Sequence, residues 1–469
     1  MDEQTVDVVI LGGGPAGENV AGGCAAAGLS VVLVERELVG GECSYWGCVP
    51  SKTLIRPGDV VAAARRVPGA AEAVTGPVDA AAAFGQRDYM TNGWSDAGQA
   101  RWLADVGARL LRGRGRLTGA RTVEVDTSGR PVRLRAARAV VLATGTRPVL
   151  PPIPGLDGVG AWDNRNATAA KELPRRLLVL GGGAVGAELA QAFWRLGTEE
   201  VTLVEGGPRL LPREEPFAGD QVRAALENEG VTVLLDSMLT AVRRDGSDGP
   251  VVGTLRDGRE IVADEILVAV GRRPATGDLG LDTVGLQPGR FVEVDERLQA
   301  VGVSGGWLYA VGDCNGRALL THMGKYQARV ATDVIVGRDT VDRASTMVVP
   351  RVTFTDPQVC AVGPTEAEAR AAGLPVRVVS TPTGGVPGAY TQGNGIGGTS
   401  QLVVDEARAV VVGATFTGPG VQELLHSATV AVVGQVPMSV LEHAVPSFPT
   451  VSEVWLRLLE AYRMETVTP

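Results

Sequence analysis

Two cysteines with four residues between them, Cys43 and Cys48, lie in a segment that reads GGECSYWGCVPSKTL from Gly40 to Leu54. If a helix holds them about one turn apart, their thiols can join as a disulfide and separate again. Such a pair accepts and passes on two electrons, whereas a structural disulfide only cross-links the fold. The spacing therefore indicates redox chemistry, and the plainer alternative is two buried cysteines that only pack.

Two neighbouring residues bear on this chemistry. Lys52 follows Cys48 by four residues, and together with a helix N-terminus near Cys48 it would favour a thiolate over a thiol. Trp46 lies between the two cysteines. Its ring is either a packing group or a stacking surface for a flat electron acceptor.

A dinucleotide-binding fingerprint precedes the cysteine pair. A buried strand at Val8–Leu11 leads into a glycine-rich turn and a small-residue helix, and the next strand, Val31–Val34, ends in Glu35. Three glycines give the turn its spacing: Gly12, Gly14 and Gly17. They permit a pyrophosphate to approach the helix N-terminus, and Glu35 is placed to accept hydrogen bonds from ribose hydroxyls. A thiol pair directly after such a site suggests a redox disulfide held against a flavin.

The same arrangement recurs later in the chain. Strand Arg176–Leu180 leads into a second turn and helix, and strand Val201–Val204 ends in Glu205. The glycines of this turn are Gly181, Gly183 and Gly186. Glu205 would accept a 2′-hydroxyl and repel a 2′-phosphate, so NAD(H) is preferred over NADP(H), although Arg209 could soften the repulsion. Two such units imply two nucleotide ligands, or one ligand and an evolutionary relic.

Length and composition agree with an α/β enzyme. The 469 residues suggest about three domains, and the net charge of -9 argues against a nucleic-acid or anionic-membrane partner. No apolar run reaches the roughly 20 residues that span a bilayer, and the N-terminus does not read as a signal peptide. Five cysteines are too few for a secreted disulfide scaffold, so we expect a cytoplasmic protein. No metal site is predicted.

Other elements would carry residues to the edges of these sheets. Ala139–Leu142 and Glu265–Val268 are buried strands followed by Gly and then Pro, where domain crossovers are expected. Strand Leu308–Val311 is followed by Asp313, a carboxylate at the strand end where α/β folds bind ligands.

The rest of the chain predicts two further regions. Residues 56–110 are rich in alanine and are expected to be helical. From Thr346 the pattern becomes that of an α+β unit without a glycine fingerprint. Its strands are expected at Val348–Phe354, Gln401–Val404 and Ala409–Phe416, followed by helices from Gly420.

These segments, in this order, resemble the flavin-dependent pyridine nucleotide–disulfide oxidoreductases, the group that holds dihydrolipoamide dehydrogenase, glutathione reductase and mercuric reductase. The resemblance implies two Rossmann-like dinucleotide-binding domains, a C-terminal α+β dimerisation domain and a homodimer. FAD would be held by residues 1–155 and 276–343, and NAD(H) by residues 156–275. Residues 344–469 would form the dimer interface.

The resemblance also implies a role for individual residues. Cys48 would lie against the flavin, and Cys43 would be the thiol that attacks the acceptor. Lys52 would lie beside the flavin and could pair with Glu188, which would be near the nicotinamide. Contacts with FAD are implied for Gly115, Thr144, Gly145, Asp313, Leu320 and His322. Contacts with NAD are implied for Leu239 and Gly271.

The chain departs from this family near its C-terminus. Members that reduce disulfides carry a His-Pro-Thr-x-Ser-Glu run, in which the His protonates the leaving thiol and the Glu orients the His. Here the run reads FPTVSE, so Glu453 is present but the base position holds Phe448, which cannot carry a proton. The groups that could replace this base are His443, Tyr462 and a water molecule.

Three functions remain open. The first is an NAD(P)H-dependent flavoprotein that reduces a small-molecule disulfide. The second keeps FAD and NAD(H) but passes electrons to a quinone or a similar acceptor, which needs no proton donor at Cys43. The third is a flavin-bearing redox-sensing or binding protein with negligible turnover.

Overall fold

The computed structural model describes residues 3–246 and 249–467. The chain divides into two compact units. The first unit contains residues 1–50, 87–149 and 272–346, and the second contains residues 51–86, 150–271 and 347–469. Within the described residues no helix is both long and apolar enough to cross a membrane.

The helices and strands are numbered in chain order. The α-helices are α1 (Pro15–Ala26), α2 (Gly41–Tyr45), α3 (Cys48–Arg66), α4 (Ala80–Met90), α5 (Ala97–Asp105), α6 (Asn164–Ala169), α7 (Ala184–Leu196), α8 (Pro216–Glu229), α9 (Thr321–Ile335), α10 (Glu366–Ala371), α11 (Pro387–Tyr390), α12 (Val421–Val433), α13 (Met438–Leu441) and α14 (Val454–Val467). The strands are β1 (Glu3–Leu11), β2 (Val31–Glu35), β3 (Ala108–Arg112), β4 (Arg114–Gly119), β5 (Thr122–Asp126), β6 (Val132–Leu142), β7 (Thr146–Pro148), β8 (Arg176–Leu180), β9 (Glu200–Val204), β10 (Thr232–Leu234), β11 (Leu239–Arg244), β12 (Val251–Leu255), β13 (Glu260–Ala263), β14 (Glu265–Val268), β15 (Arg272–Pro274), β16 (Leu308–Ala310), β17 (Arg351–Thr353), β18 (Gln358–Val362), β19 (Val376–Pro382), β20 (Thr399–Asp405) and β21 (Val410–Gly418).

The first unit is built on a sheet with a parallel centre. Its strand order is β3-β2-β1-β6-β5-β4, and β16 also pairs with β6. β1 is parallel to both β2 and β6, so their carboxyl ends meet at one edge. Helix α1 packs closely against α9. A small residue is needed at this contact, because a Cβ on Gly23 would lie 2.9 Å from Thr332 Cγ2.

The second unit contains a parallel sheet of order β10-β9-β8-β14 and an antiparallel sheet of order β11-β12-β13. It also contains a five-stranded antiparallel sheet of order β17-β18-β21-β20-β19, against which α12 and α14 pack. The mixed α/β class expected from the sequence is confirmed. Both glycine-rich segments join a strand to a helix as expected, β1 to α1 and β8 to α7.

Some local expectations were wrong. The segment expected to be helical up to residue 110 ends in a strand, β3, which pairs with β2 along the edge of the first sheet. In the C-terminal region the expectation missed β18 and β19. Strand β18 is short and follows a proline, and β19 depends on its antiparallel pairing with β20. Tertiary pairing, rather than local propensity, decides these elements.

Candidate active site

The first glycine-rich turn excludes side chains at two positions. A Cβ on Gly12 would lie 2.4 Å from the Ala143 carbonyl oxygen, and one on Gly17 would lie 1.9 Å from the Gly12 carbonyl oxygen. Glu35 lies directly at this turn, because its Oε2 accepts a 2.6 Å hydrogen bond from the Gly13 amide. The backbone amides of the turn and the N-terminus of α1 therefore stay open to an anionic group.

The second turn repeats this geometry. A Cβ on Gly181 would lie 2.6 Å from the Ala269 carbonyl oxygen, and one on Gly186 would lie 1.9 Å from the Gly181 carbonyl oxygen. Glu205 Oε2 accepts a 2.6 Å hydrogen bond from the Gly182 amide. Two glycine-rich cradles of the same construction are thus present, one in each unit.

Three other residues bear on the second cradle. Arg209 donates a 3.1 Å hydrogen bond to the Pro212 carbonyl oxygen and makes no ion pair with Glu205. Gly271 has a φ of +130° and open space at its Cβ position. Leu239 is buried in an apolar core, so its side chain is not open to a ligand.

The first cradle has the features that a dinucleotide such as FAD requires. Gly14 and Gly145 have open space where a Cβ would stand. Thr144 Oγ1 is buried and has no hydrogen-bond partner among the described residues. Gly115 has a packing reason to be glycine, since a Cβ there would lie 2.7 Å from Leu11 Cδ2. An orphaned hydroxyl beside open glycines fits a polar ligand in this place.

The two cysteines meet beside a third element. Cys43 lies in α2 and Cys48 is the first residue of α3, and both are thiols in this structure. Their side chains hydrogen-bond to each other, and Cys48 Sγ lies 3.3 Å from Thr321 Oγ1 at the start of α9. Leu320 is the residue just before this helix. The structure thus brings the thiol pair to the N-terminal end of α9.

The local electrostatics allow the reduced pair to lose one proton more readily than two. The hydrogen bond with Cys48, and secondly burial, raise the pKa of the Cys43 thiol well above its ordinary value. A hydrogen bond with Thr321 and the positive charge of Lys325 act in the opposite direction. Lys325, on α9, is therefore a cation that favours a thiolate at Cys43.

A hydrogen-bonded chain supports the segment that carries Cys43. Arg272 donates to Glu42 Oε1 at 3.1 Å and to Thr146 Oγ1 at 2.8 Å. Thr146 Oγ1 in turn donates a 2.8 Å hydrogen bond to Asp313 Oδ2. Burial raises the pKa of Asp313 above its ordinary value, and the hydrogen bond from Thr146 partly offsets this. The chain fixes the residue next to Cys43 relative to the predicted FAD-contacting carboxylate.

In the second unit, Lys52 and Glu188 form an ion pair. Lys52 Nζ lies 2.7 Å from Glu188 Oε2, and the Glu188 side chain is only 6% exposed. Glu188 Oε1 accepts a 2.9 Å hydrogen bond from the Phe354 amide, and the Lys52 ammonium lies 4.7 Å from the centre of the Phe354 ring. Both carboxylate oxygens are therefore satisfied, and the lysine is held in one position.

The other three cysteines are buried. Burial raises the pKa of Cys24 to about 11 and that of Cys314 to about 12. Burial also raises the pKa of Cys360. Burial keeps electrophiles away from these three thiols, whereas Cys48 is exposed and Cys43 is half-buried, so we expect sulfur chemistry at the Cys43–Cys48 pair.

A groove of about 1170 Å³ lies between α1, α5 and α9 in the first unit. Its polar and aromatic lining includes Glu18, Trp102, His322, Lys325, Tyr326 and Arg329. Burial raises the pKa of Glu18 to about 7, although the positive charge of Lys325 acts to lower it. The same lysine acts on Cys43, so the groove and the thiol pair share an electrostatic environment.

The C-terminal FPTVSE segment contains a buried acid, Glu453, and an exposed phenylalanine, Phe448. Glu453 is 6% exposed, and its Oε2 has no hydrogen-bond partner among the described residues. The Phe448 side chain is 75% exposed. Of the replacement bases, His443 is exposed, whereas the Tyr462 hydroxyl donates a 3.0 Å hydrogen bond to Glu406. Tyr462 therefore has a structural partner already.

Sequence patterns did not identify several residues that the structure brings to the thiol pair. Thr321 appeared only within a segment expected to contact FAD. Lys325 follows Thr321 by one helical turn, so the helix period contained a signal for it. Glu18, Thr146 and Arg272 gave no signal, because their positions depend on how separate elements meet.

Comparison with known proteins assigns the family. The model of the pyridine nucleotide-disulphide oxidoreductase family matches residues 6–332, and the model of its dimerisation domain matches residues 349–459. A dihydrolipoyl dehydrogenase from Thermus scotoductus is 34% identical over 99% of both chains. A mercuric reductase from Lysinibacillus sphaericus is 30% identical over 97% of this chain and 82% of its own length.

Solved structures give the same answer. LpdA from Mycobacterium tuberculosis superposes with a TM-score of 0.85 at 26% identity, covering 98% of this chain and 99% of its own. The HOCl-induced flavoprotein disulfide reductase RclA from Escherichia coli superposes with a TM-score of 0.83 at 26% identity, covering 97% and 99%. The relatives named here thus include enzymes of disulfide and metal-ion reduction. The chain described here belongs to the pyridine nucleotide-disulphide oxidoreductase family.

Proposed function

We propose that this protein is an FAD-dependent oxidoreductase that passes electrons from NAD(P)H, with NADH preferred, through Cys43 and Cys48 to a small-molecule acceptor. The observation that carries this proposal is the hydrogen-bonded thiol pair formed by Cys43 of α2 and Cys48 of α3, with Thr321 beside it. The related dihydrolipoyl dehydrogenase, mercuric reductase and disulfide reductase support it.

The two glycine-rich cradles support the choice of cofactors. Gly12, Gly14, Gly17 and Glu35, with Thr144, Gly145 and Asp313, would hold FAD. Gly181, Gly183, Gly186 and Glu205 would hold NAD(H). The flavin, when bound, supplies the chemistry that links a two-electron hydride donor to a dithiol. The preference for NADH rests on Glu205, since Arg209 is turned towards Pro212 instead of screening that carboxylate.

Residues of the chain would hold and tune the thiols. Thr321 and Lys325 favour ionisation of the pair, and Cys43, which is buried less than the three isolated cysteines, would attack the acceptor. Lys52 and Glu188 would act at the nicotinamide side as a fixed ion pair. The groove between α1, α5 and α9 is our candidate for the acceptor site, since Lys325 both lines it and acts on Cys43.

A small-molecule disulfide is the first candidate acceptor, and a quinone is the second. Phe448 is the observation that favours a quinone, because a reaction at Cys43 that releases a thiolate needs a proton donor and Phe448 cannot supply one. Trp102, which is 41% exposed at the groove, offers a surface on which a planar ring could stack. A redox-sensing or binding role without turnover is the remaining alternative.

We also propose that the protein is a cytoplasmic homodimer. The matched dimerisation domain supports association, as do exposed apolar side chains near the C-terminus. Val433, Val445 and Phe448 are among them. Exposed apolar side chains in a domain of this kind favour an interface. A cytoplasmic location fits a chain whose cysteines outside the active pair are buried thiols.

The test is an acceptor panel with matched cysteine variants. The FAD-loaded protein should be reduced by NADH and then reoxidised by lipoamide, small disulfides or quinones. Cys43→Ser should abolish disulfide reduction while leaving flavin reduction by NADH in place, and Cys24→Ser, at a buried site outside the pair, is the control. Quinone reduction that survives Cys43→Ser selects the second candidate. Flavin binding with no turnover of any acceptor would contradict both.

A further inference from the structure

We propose that Arg195 is a positioning residue, which keeps Lys52 and Glu188 paired by holding α3 against α7 through Asp59. The inference rests on the proposed function only for the role given to the Lys52–Glu188 pair at the nicotinamide side. All four residues belong to the second unit.

The two helices carry complementary charges at the same spacing. Lys52 and Asp59 are seven residues apart on α3, and the same interval separates Glu188 from Arg195 on α7. Seven residues make about two helical turns, so each helix presents its two charges on one face. Lys52 Nζ lies 2.7 Å from Glu188 Oε2, and Arg195 Nη1 lies 3.0 Å from Asp59 Oδ1. Because the cation comes first on α3 and the anion comes first on α7, both pairs form only in this direction and register.

The two helices approach closely beside the Asp59–Arg195 pair. A Cβ on Gly58 would lie 2.8 Å from Arg195 Cβ and 2.8 Å from Arg195 Cδ. The backbone of α3 therefore rests on the aliphatic part of the arginine, and the Arg195 side chain is only 10% exposed. Packing and charge thus act at the same contact.

Arg195 is itself fixed by two further carboxylates. Its Nε and Nη2 donate to the two oxygens of Glu229, the last residue of α8, at 2.9 and 2.6 Å. Nη2 also donates to Asp356 Oδ2 at 2.8 Å, and Arg66 of α3 pairs with the same Asp356 oxygen. A guanidinium can serve several carboxylates at once because its donors form a planar fork, which the ammonium group of a lysine does not have.

The segment from Phe354 to Asp356 lies along α7 between the two ion pairs. Glu188 Oε1 accepts a 2.9 Å hydrogen bond from the Phe354 amide. Gln191, one turn further along α7, accepts a 2.8 Å hydrogen bond from the Asp356 amide and donates one of 3.1 Å to the Asp356 carbonyl oxygen. A change at Arg195 therefore reaches Glu188 through this segment as well as through α3.

Asp59 is the member of this cluster whose charge should change near neutral pH. Burial raises its pKa to about 6, and the negative charges of Asp356 and Glu229 add to the rise, whereas Arg195 and Arg56 oppose it. Above this pH the carboxylate is charged and holds Arg195. Below it the carboxyl group is neutral and the ion pair is lost, so the attachment of α3 to α7 should loosen in acid.

The first measurement follows the amine of Lys52, one of three lysines in the chain. FAD-loaded protein is treated with acetic anhydride at mildly alkaline pH, and mass spectrometry gives the acetylation rate of Lys52 relative to that of the exposed Lys171. An ion-paired amine reacts slowly, because pairing favours its protonated form. Glu188→Gln removes the partner directly and should raise this acetylation ratio about 3-fold or more.

Arg195→Met and Asp59→Asn should raise the acetylation ratio nearly as much as Glu188→Gln does. Methionine retains an unbranched side chain against α3 but removes the guanidinium. Asp59→Asn removes one charge from a cluster in which three carboxylates face two arginines, so it should not destabilise the fold. Arg195→Lys, which retains a charge without the planar fork, should give an intermediate ratio. Arg223→Met, at an exposed α8 arginine that pairs with Glu227, is the matched control and should leave the ratio unchanged.

A pH profile separates positioning from a general loosening of the fold. In the unsubstituted protein the acetylation ratio should rise as the pH falls through about 6, where Asp59 becomes neutral, and in Asp59→Asn it should be high throughout. If Arg195→Met does not fold, Asp59→Asn and its profile decide. A ratio that is unchanged in folded Arg195→Met, in Asp59→Asn or in Glu188→Gln overturns the inference. So does a ratio that rises equally in Arg223→Met, or one that does not depend on pH in the unsubstituted protein.

The second measurement, stopped-flow reduction of the bound flavin by NADH, tests the part that rests on the proposed function. Arg195→Met and Asp59→Asn should slow this step about 10-fold or more, because displaced active-site groups cost rate, and Arg223→Met should not. Unchanged rates beside raised acetylation ratios would contradict the role given to the Lys52–Glu188 pair and support positioning by Arg195. If NADH does not reduce the unsubstituted protein, the proposed function is wrong, and the acetylation ratios still decide the inference.

Discussion

At the scale of single residues, position 448 holds Phe where the family resemblance implies a histidine. Glu453 is still buried, and one of its carboxylate oxygens has no partner in the part of the chain that the structure describes. A buried acceptor without a donor costs stability, about 1–3 kcal/mol in ordinary cases. We therefore propose that Glu453 is the acid of the implied His–Glu pair and lacks the group that it would orient.

Restoring the histidine should restore the missing acid–base function. We expect Phe448→His to raise disulfide reductase kcat about 10- to 100-fold, because Glu453 remains available to orient an imidazole. Phe448→Leu, which changes the side chain without adding a proton carrier, is the matched control. Steady-state kinetics with lipoamide and small disulfides measure the effect. Equal rates for the two variants would mean that the Glu453 position no longer serves catalysis.

The ionisation of Glu18 should also change the free energy of unfolding of the protein with pH. Its pKa in the fold, about 7, lies above the ordinary 4.5, so the folded state binds more protons between these two values. Stability from this group is therefore present at acid pH and lost as the pH rises from 4.5 towards 7. Glu18→Gln should be more stable than the unsubstituted protein at pH 8, by about 1–3 kcal/mol, and nearly equal at pH 4. Urea unfolding at both pH values measures this, and a constant difference between them would contradict it.

At the scale of elements, the two strand–turn–helix units follow directly from their sequences. Only glycine can stand where no Cβ fits, and a Cβ on Gly17 or on Gly186 would lie 1.9 Å from a carbonyl oxygen. The ends of α7, Ala184–Leu196, agree with the sequence because Gly197 adopts a φ of +114° and stops the helix. Strand β19 was not predictable in this way, since its residues are held by pairing with β20.

Substituting a glycine in the turn of one unit should weaken nucleotide binding by that unit and leave binding by the other unchanged. Gly17→Ala should prevent FAD from binding, since its Cβ would overlap the Gly12 carbonyl oxygen. Gly186→Ala should leave FAD content unchanged and weaken NADH binding at least about 10-fold. Gly85→Ala, in α4 with open space around it, is the control and should change neither. Flavin absorbance and NADH titration give the two readouts, and loss of FAD in Gly186→Ala would argue against separate cradles.

At the scale of the whole molecule, the sequence predicts the family and the chemistry better than it predicts the acceptor groove. Cys43, Cys48 and both fingerprints are local patterns that can be read in order along the chain. Glu18 and Lys325 are 307 positions apart in the numbering and meet only because α1 packs on α9. A single sequence contains no spacing rule that links them. Glu18 and Lys325, which line the proposed acceptor groove, could therefore not be identified from the sequence.

Association of two copies is a property of the assembled chain. Val445, 84% exposed, and Phe448 are apolar side chains on the surface of the matched dimerisation domain. Val445→Asp should shift the protein from dimer to monomer, because a buried unpaired charge is costly at an interface. Val60→Asp, an exposed valine on α3 outside that domain, is the control. Sedimentation velocity across a range of concentrations measures the outcome, and an unchanged dimer would place the interface elsewhere.

The burial of Cys24, Cys314 and Cys360 has a practical meaning for a protein that handles electrons. Oxidants and electrophiles reach sulfur in proportion to its exposure, and these three thiols are buried. Under the proposed function, hypochlorite or peroxide would therefore react first with Cys43 and Cys48, and a reduced nicotinamide would reduce their disulfide again. The molecule would then repair its own most vulnerable sulfurs in the course of each turnover.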